Sequence, residues 1–207
     1  MSSENKFDQV LTWVMDINPS DVVQNVEQKR LAFPGLTNYE LASKFIESYS
    51  RKAAVEGFFT GLGSNPFVMA GTALADVAFM LRFYAYLTAC IGLIANPKYF
   101  EDPDWKTDAL LMLAGPKILA KVLKEAGVAG AKKLTKAIIK KFISKEMLAL
   151  LKRAMLKWFG KKVTQKAILT KSVPFAGAIV GSIWNLVEIK IVGSRILKYH
   201  IPGESPA

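Results

Sequence analysis

The sequence predicts an all-α protein, and three observations carry that expectation. Apolar and polar residues nowhere alternate over the length of a strand. The apolar runs are long and rich in alanine and leucine, the composition of helices. Glycine, proline, serine and asparagine recur at intervals that start and stop helices. Hydrophobic residues make up 51% of the 207 residues and charged residues 22%, so there is ample apolar surface to offset the entropy of ordering the chain. The length suits one domain. We expect a single helical bundle over residues 1–207, with two central Gly/Ala-rich apolar helices and a basic amphipathic helical arm.

The elements follow in order. A first amphipathic stretch covers residues 7–16. A second follows Pro19, with Ser20 as its capping candidate, and stops at Phe33, Pro34 and Gly35. Residues 1–36 thus read as an N-terminal helical extension to a domain at 38–199. Asn38 opens a helix in which Tyr39, Leu41, Phe45, Ile46 and Tyr49 recur at helical spacing, to about residue 59. The run from Gly61 to Pro66 is the sharpest break: Ser64 or Asn65 can cap the next helix, with Pro66 at its first position. That helix continues to about residue 94. Asn96, Pro97, Glu101, Asp102, Pro103 and Asp104 form a loop. A helix from Trp105 is interrupted at Gly115 and Pro116 and resumes over 117–125. Two or three basic helices are expected from there to about residue 169. Ser172, Val173 and Pro174 then open a last helix, to about residue 199.

Charge is concentrated in one segment. The whole chain carries a formal +11, but residues 117–166 hold 15 basic side chains against two acids, a net +13. On a wheel advancing about 100° per residue, Leu134, Ile138 and Phe142 lie opposite Lys133, Lys136 and Lys140. Further on, Leu148, Leu151, Met155 and Trp158 share a face, with Arg153 and Lys157 across from it. Basic amphipathic helices of this kind are drawn to anionic lipid surfaces. Lysine outnumbers arginine 14 to one in the segment, which favours diffuse attraction to headgroups over bidentate phosphate readout. The expected lipid- or anion-binding residues are Lys132, Lys133, Lys136, Lys140, Lys141, Arg153, Lys157, Lys161 and Lys162. A solvated face serving solubility is the plainer alternative. It would ordinarily mix both signs of charge. Zinc-finger, RRM, KH and helix-turn-helix patterns are missing, so no specific nucleic-acid partner is expected.

The apolar helices raise the question of membrane crossing. Between residues 67 and 95 only Asp76 and Arg82 are charged. The stretch is long enough to span, but a central arginine costs roughly 2.5–3.5 kcal/mol on insertion. Gly71, Ala73, Ala75 and Ala78 favour close helix packing, so a buried core helix is the expectation and conditional insertion the sharper alternative. A buried charge needs a partner. Asp76, Arg82, Asn185 and Glu188 are therefore expected to gather between this helix and the last one, as a structural cluster or a headgroup site. The sequence has no G-x-S-x-G elbow, no H-E-x-x-H and no phosphate-binding P-loop. With one cysteine, Cys90, and one histidine, His200, no metal site, cofactor or catalytic residue is expected.

Residues 54–63 (AVEGFFTGLG), the Ala75-Asp76 pair, Arg82, and residues 173–185 (VPFAGAIVGSIWN) together resemble the EcsC family. The family's Pro-x-x-Gly-x-x-x-Gly with a following Asn falls on Pro174, Gly177, Gly181 and Asn185. Where the family has Tyr-Gly after the first apolar helix, this chain has Ile91-Gly92. The resemblance implies an apolar, helical, membrane-associated protein. It also makes a membrane transporter a candidate partner, since the operon that names the family encodes an ABC transporter. It brings no catalytic residues.

The function expected from all this is non-catalytic, peripheral binding to anionic membrane lipids. The alternatives are a carrier enclosing a lipid or other apolar ligand, and a lipid-modifying enzyme or conditionally inserting pore-former. No signal peptide, myristoylation glycine or prenylation cysteine is visible. The expected location is the cytoplasm, on the inner face of the membrane.

Overall fold

A computed structural model of the chain describes residues 3–61, 66–125, 145–171 and 174–203. Side-chain surroundings are described within these except at 3–6, 56–74, 123, 125, 145–148 and 166–181. The described residues are almost entirely helical, and no strand occurs among them.

Helix α1 (Ser3–Met15) turns Phe7, Leu11 and Val14 inward, one turn apart. Helix α2 (Pro19–Ala32) is capped by Asn18, whose side-chain oxygen accepts the Ser20 backbone N–H at 3.0 Å, with Pro19 at the first position. Ser20 therefore lies inside the helix instead of capping it. The Phe33 N–H donates to the Lys29 carbonyl at 3.1 Å and closes α2. Helix α3 (Asn38–Gly61) starts on a reciprocal cap: Thr37 donates its N–H to Glu40 Oε2 at 2.8 Å, and the Glu40 N–H returns to Thr37 Oγ1 at 3.2 Å.

Helix α4 (Pro66–Ala95) is the most apolar element and is followed by a 3₁₀ turn at Tyr99–Glu101. Helix α5 (Trp105–Glu125) bends where the sequence places glycine before proline. Gly115 has φ 73°, a left-handed conformation open to glycine, and Pro116 resumes the helix. Of the basic region, residues 145–171 form one continuous helix, α6 (Lys145–Lys171). Helix α7 (Pro174–His200) ends the described fold.

Helices α3 and α7 run antiparallel in the broadest contact of the bundle: Ile46 lies over Gly193 while Ala53 meets Asn185. A Cβ on Gly193 would come within 2.8 Å of Ile46, so this side chain needs a glycine beneath it. Helix α4 lies against α1, α2, α3, α5, α6 and α7. One continuous core joins the seven helices of the described residues, from Phe7, Leu11 and Val14 through Val22 and Val26 to Ile196 and Ile201. Helices α1 and α2 thus contribute side chains to the common core. Phe7 of α1 meets Phe159 of α6 edge to face at 5.4 Å. Within α4 the stretch Ala75–Ala95 is long and apolar enough to cross a membrane, and 72% of that window is buried in the fold.

Candidate functional site

The four polar residues expected to cluster are divided among three places. Asp76 and Asn185 do meet. Asn185 Nδ2 donates to Asp76 Oδ1 at 2.8 Å and lies 3.3 Å from the Ala53 carbonyl, so one amide ties α3, α4 and α7 together. Both side chains are buried. Inside a core, such a fully bonded polar contact fixes helix register.

Arg82 goes elsewhere, and the expected Asp76–Arg82 grouping is corrected on that point. Six residues turn a helix by about 240°, which carries Arg82 to the side of α4 that faces α1. There its guanidinium donates to the Trp13 carbonyl and, at 3.0 Å, to the Asp16 carbonyl. These carbonyls lie at the end of α1, where the last acceptors lack the usual helical donor and the dipole is negative; the Trp13 carbonyl also accepts the Asp16 N–H at 3.3 Å. The guanidinium also sits over the Trp13 ring at 4.5 Å, and Phe79 meets that ring edge-on at 5.3 Å. Arg82 therefore clamps α1 to α4.

Glu188 belongs to a second polar group, at the seam of α4, α6 and α7. Its Oε1 accepts the Lys162 ammonium from α6, and its Oε2 accepts the Trp184 indole N–H at 3.0 Å. Lys162 lies over the Trp158 ring at 4.8 Å. Tyr84 and Arg195 complete the group electrostatically. Burial first, then the negative charge of Glu188, pushes the Tyr84 hydroxyl well above its usual range. Burial lowers the Arg195 pKa, opposed by Tyr84 and Glu188. Only 12% of the Lys162 side chain is exposed, so Lys162 is committed to Glu188 and is not offered to an outside surface. That corrects its place among the expected lipid-binding lysines.

The remaining basic residues fall into two groups. Arg153, Lys157 and Lys161 stand on the solvent side of α6, with Leu151, Met155 and Phe159 buried opposite. Lys132, Lys133, Lys136, Lys140 and Lys141 lie outside the described residues. So does the packing around Gly177 and Gly181.

Sequence reasoning missed two features. The first is an exposed apolar stripe on α7, formed by Ile183 (58% exposed), Trp184 (52%), Val187 (46%) and Ile191 (59%). The spacing of 183, 187 and 191, each four apart, was a readable signal, but the stretch 174–187 carries no charge, and such a stretch reads as buried all round. The second is a buried group where α5 begins and α7 ends. Tyr199 Oη donates to Asp108 Oδ1 at 3.0 Å, and His200 packs edge-on to Tyr99 and Tyr199. Burial and then the Asp108 charge raise the pKa of Tyr199 and of Tyr99 alike. Asp108 at the head of the apolar run 109–114 was its signal.

A cleft of about 420 Å³ between α1, α5 and α6 is lined by Leu11, Met15 and Leu110 together with Asp8, Lys106 and Lys152. No group of three or more His, Cys, Asp or Glu placed to hold a metal ion occurs among the described residues. No protein-family model, curated protein or solved structure matches the chain.

Proposed function

We propose that this protein is a non-catalytic, peripheral membrane protein that binds anionic lipid surfaces. The observation that carries the reading is the net +13 of residues 117–166, together with the exposure of Arg153, Lys157 and Lys161 along the outer side of α6. In this reading the segment is a basic arm laid on a nearly neutral bundle whose Gly/Ala-rich central helices are α4 and α7. Each lysine or arginine close to an anionic surface contributes about 1 kcal/mol. Several together give useful affinity without any shaped pocket. The resemblance to the EcsC family points the same way. It adds a location on the inner face of the membrane and a transporter as candidate partner.

Co-sedimentation with phosphatidylcholine vesicles, with and without phosphatidylserine, at low and high salt, tests the proposal. Binding should require the anionic lipid and weaken as salt shortens the range of the attraction. Equal binding to neutral vesicles at both salt levels would overturn it. A lipid retained in stoichiometric amount by the purified protein would favour a carrier instead.

A further inference from the structure

We infer that the solvent face of α7, formed by Ile183, Trp184, Val187 and Ile191, is the surface that enters the lipid. It would rest between headgroups and acyl chains, with lysines around it at the level of the phosphates. The inference rests on the anionic-surface reading above and specifies how the protein seats itself.

The first argument is what surrounds the stripe. On α7, Lys190 and Lys198 are exposed beside it and beyond it. On α6, Lys162 reaches Glu188 of α7 and lies over its own neighbour Trp158, whereas Phe159, on the other flank, meets α1. At about 100° per residue, the outer margin of α6 nearest α7 is therefore the one that carries Lys157 and Lys161, both exposed. An apolar strip bordered by lysines is the pattern of a helix lying in a membrane interface.

The second argument is charge. Glu188 is the one acid in residues 174–200, and it would repel an anionic surface if left bare. Lys162 neutralises it. The Trp184 indole N–H is held by the same carboxylate, so the ring is anchored at its polar end while half of it remains open to solvent. Tryptophan with an apolar body and a bonded N–H belongs at the lipid–water boundary.

The third argument is size. Eight residues along a helix span about 12 Å, and a helix is about 10 Å wide. An outline on the order of 120 Å² is small against the ~800 Å² per partner of a stable protein interface, yet it is enough to seat one helix face in lipid. A bilayer is therefore the occupant favoured over a second copy of the chain.

The test uses vesicles containing phosphatidylserine and phosphatidylcholine brominated on its acyl chains. Brominated lipid should quench tryptophan emission on binding, and Trp184→Phe should remove most of that quenching. Val187→Ser combined with Ile191→Ser should weaken vesicle binding roughly tenfold or more at unchanged melting temperature. If the parent protein binds anionic vesicles but quenching survives Trp184→Phe and the serine variant binds normally, α7 is not the seated face, and the electrostatic reading stands without it. If the parent does not bind, that reading itself has failed. A dimer in solution that the serine variant returns to monomer would assign the face to a second copy and overturn the inference.

Discussion

Asp76 accepts a hydrogen bond from Asn185 where both side chains are buried, and that gives its replacements a definite order. Asp76→Ala removes the acceptor and leaves part of the Asn185 amide unbonded in the core. Such a loss costs about 1–3 kcal/mol, read as a lower midpoint in urea unfolding. Asp76→Asn keeps an oxygen at the same place and should cost less. Had Arg82 been the partner, as the sequence led us to expect, alanine would have stranded a full charge at about 3–5 kcal/mol. The sequence made the presence of buried polar residues legible but not their pairing. Pairing depends on which helix lies alongside, and the Trp13 and Asp16 carbonyls that receive Arg82 carry no side-chain signature at all.

Glu40 offers a pH prediction at the same scale. Its pKa is lowered by the Thr37 backbone N–H first and the Thr37 hydroxyl second. A carboxyl depressed in the folded state contributes stability that is fully present above its unfolded pKa and is lost as pH falls through the folded value. Glu40→Gln should therefore flatten the acid limb of a stability–pH curve below the ordinary carboxylate range, with little change near neutrality in the slope. A curve of unchanged shape would show that the reciprocal cap does not form in solution.

The elements were largely legible because their boundaries are chemical. Pro19, Gly115 before Pro116, and Pro66 and Pro174 at helix starts each act locally and leave a mark in the sequence; the Asn18 cap, which the sequence reading gave to Ser20, and the Thr37–Glu40 cap went unread. Close approaches between elements leave a weaker mark. Gly92 of α4 is an example: a Cβ there would fall 2.5 Å from the Tyr99 ring, and that ring is pinned by its hydroxyl to the Trp105 carbonyl at 3.2 Å. Gly92→Ala should therefore destabilise by about 1–3 kcal/mol through overpacking, despite alanine's better helix propensity. A thermal melt decides it, since a neutral or stabilising result would mean that the turn after α4 can shift. The solvent face of α7 was hidden for the opposite reason. Apolar composition alone does not separate a buried helix from one that keeps an apolar side outward.

At the scale of the molecule, charge and burial are carried by different residues. Leu151, Met155 and Phe159 hold α6 to the bundle while Arg153, Lys157 and Lys161 face water, so the proposed affinity for an anionic surface can be tested by substitutions that leave the fold intact. The segment's charge was legible directly from the sequence. The loss of Lys162 to Glu188 was not, because it depends on how α6 lies on α7. The measurement that bears most directly on the central claim is the affinity of an Arg153→Gln, Lys157→Gln, Lys161→Gln variant for phosphatidylserine-containing vesicles at low salt, beside its melting temperature. At about 1 kcal/mol per basic residue near the surface, and a factor of ten for every 1.4 kcal/mol, binding should fall roughly a hundredfold while the melt stays where it was. Parental affinity in the folded variant would contradict electrostatic docking through the outer side of α6.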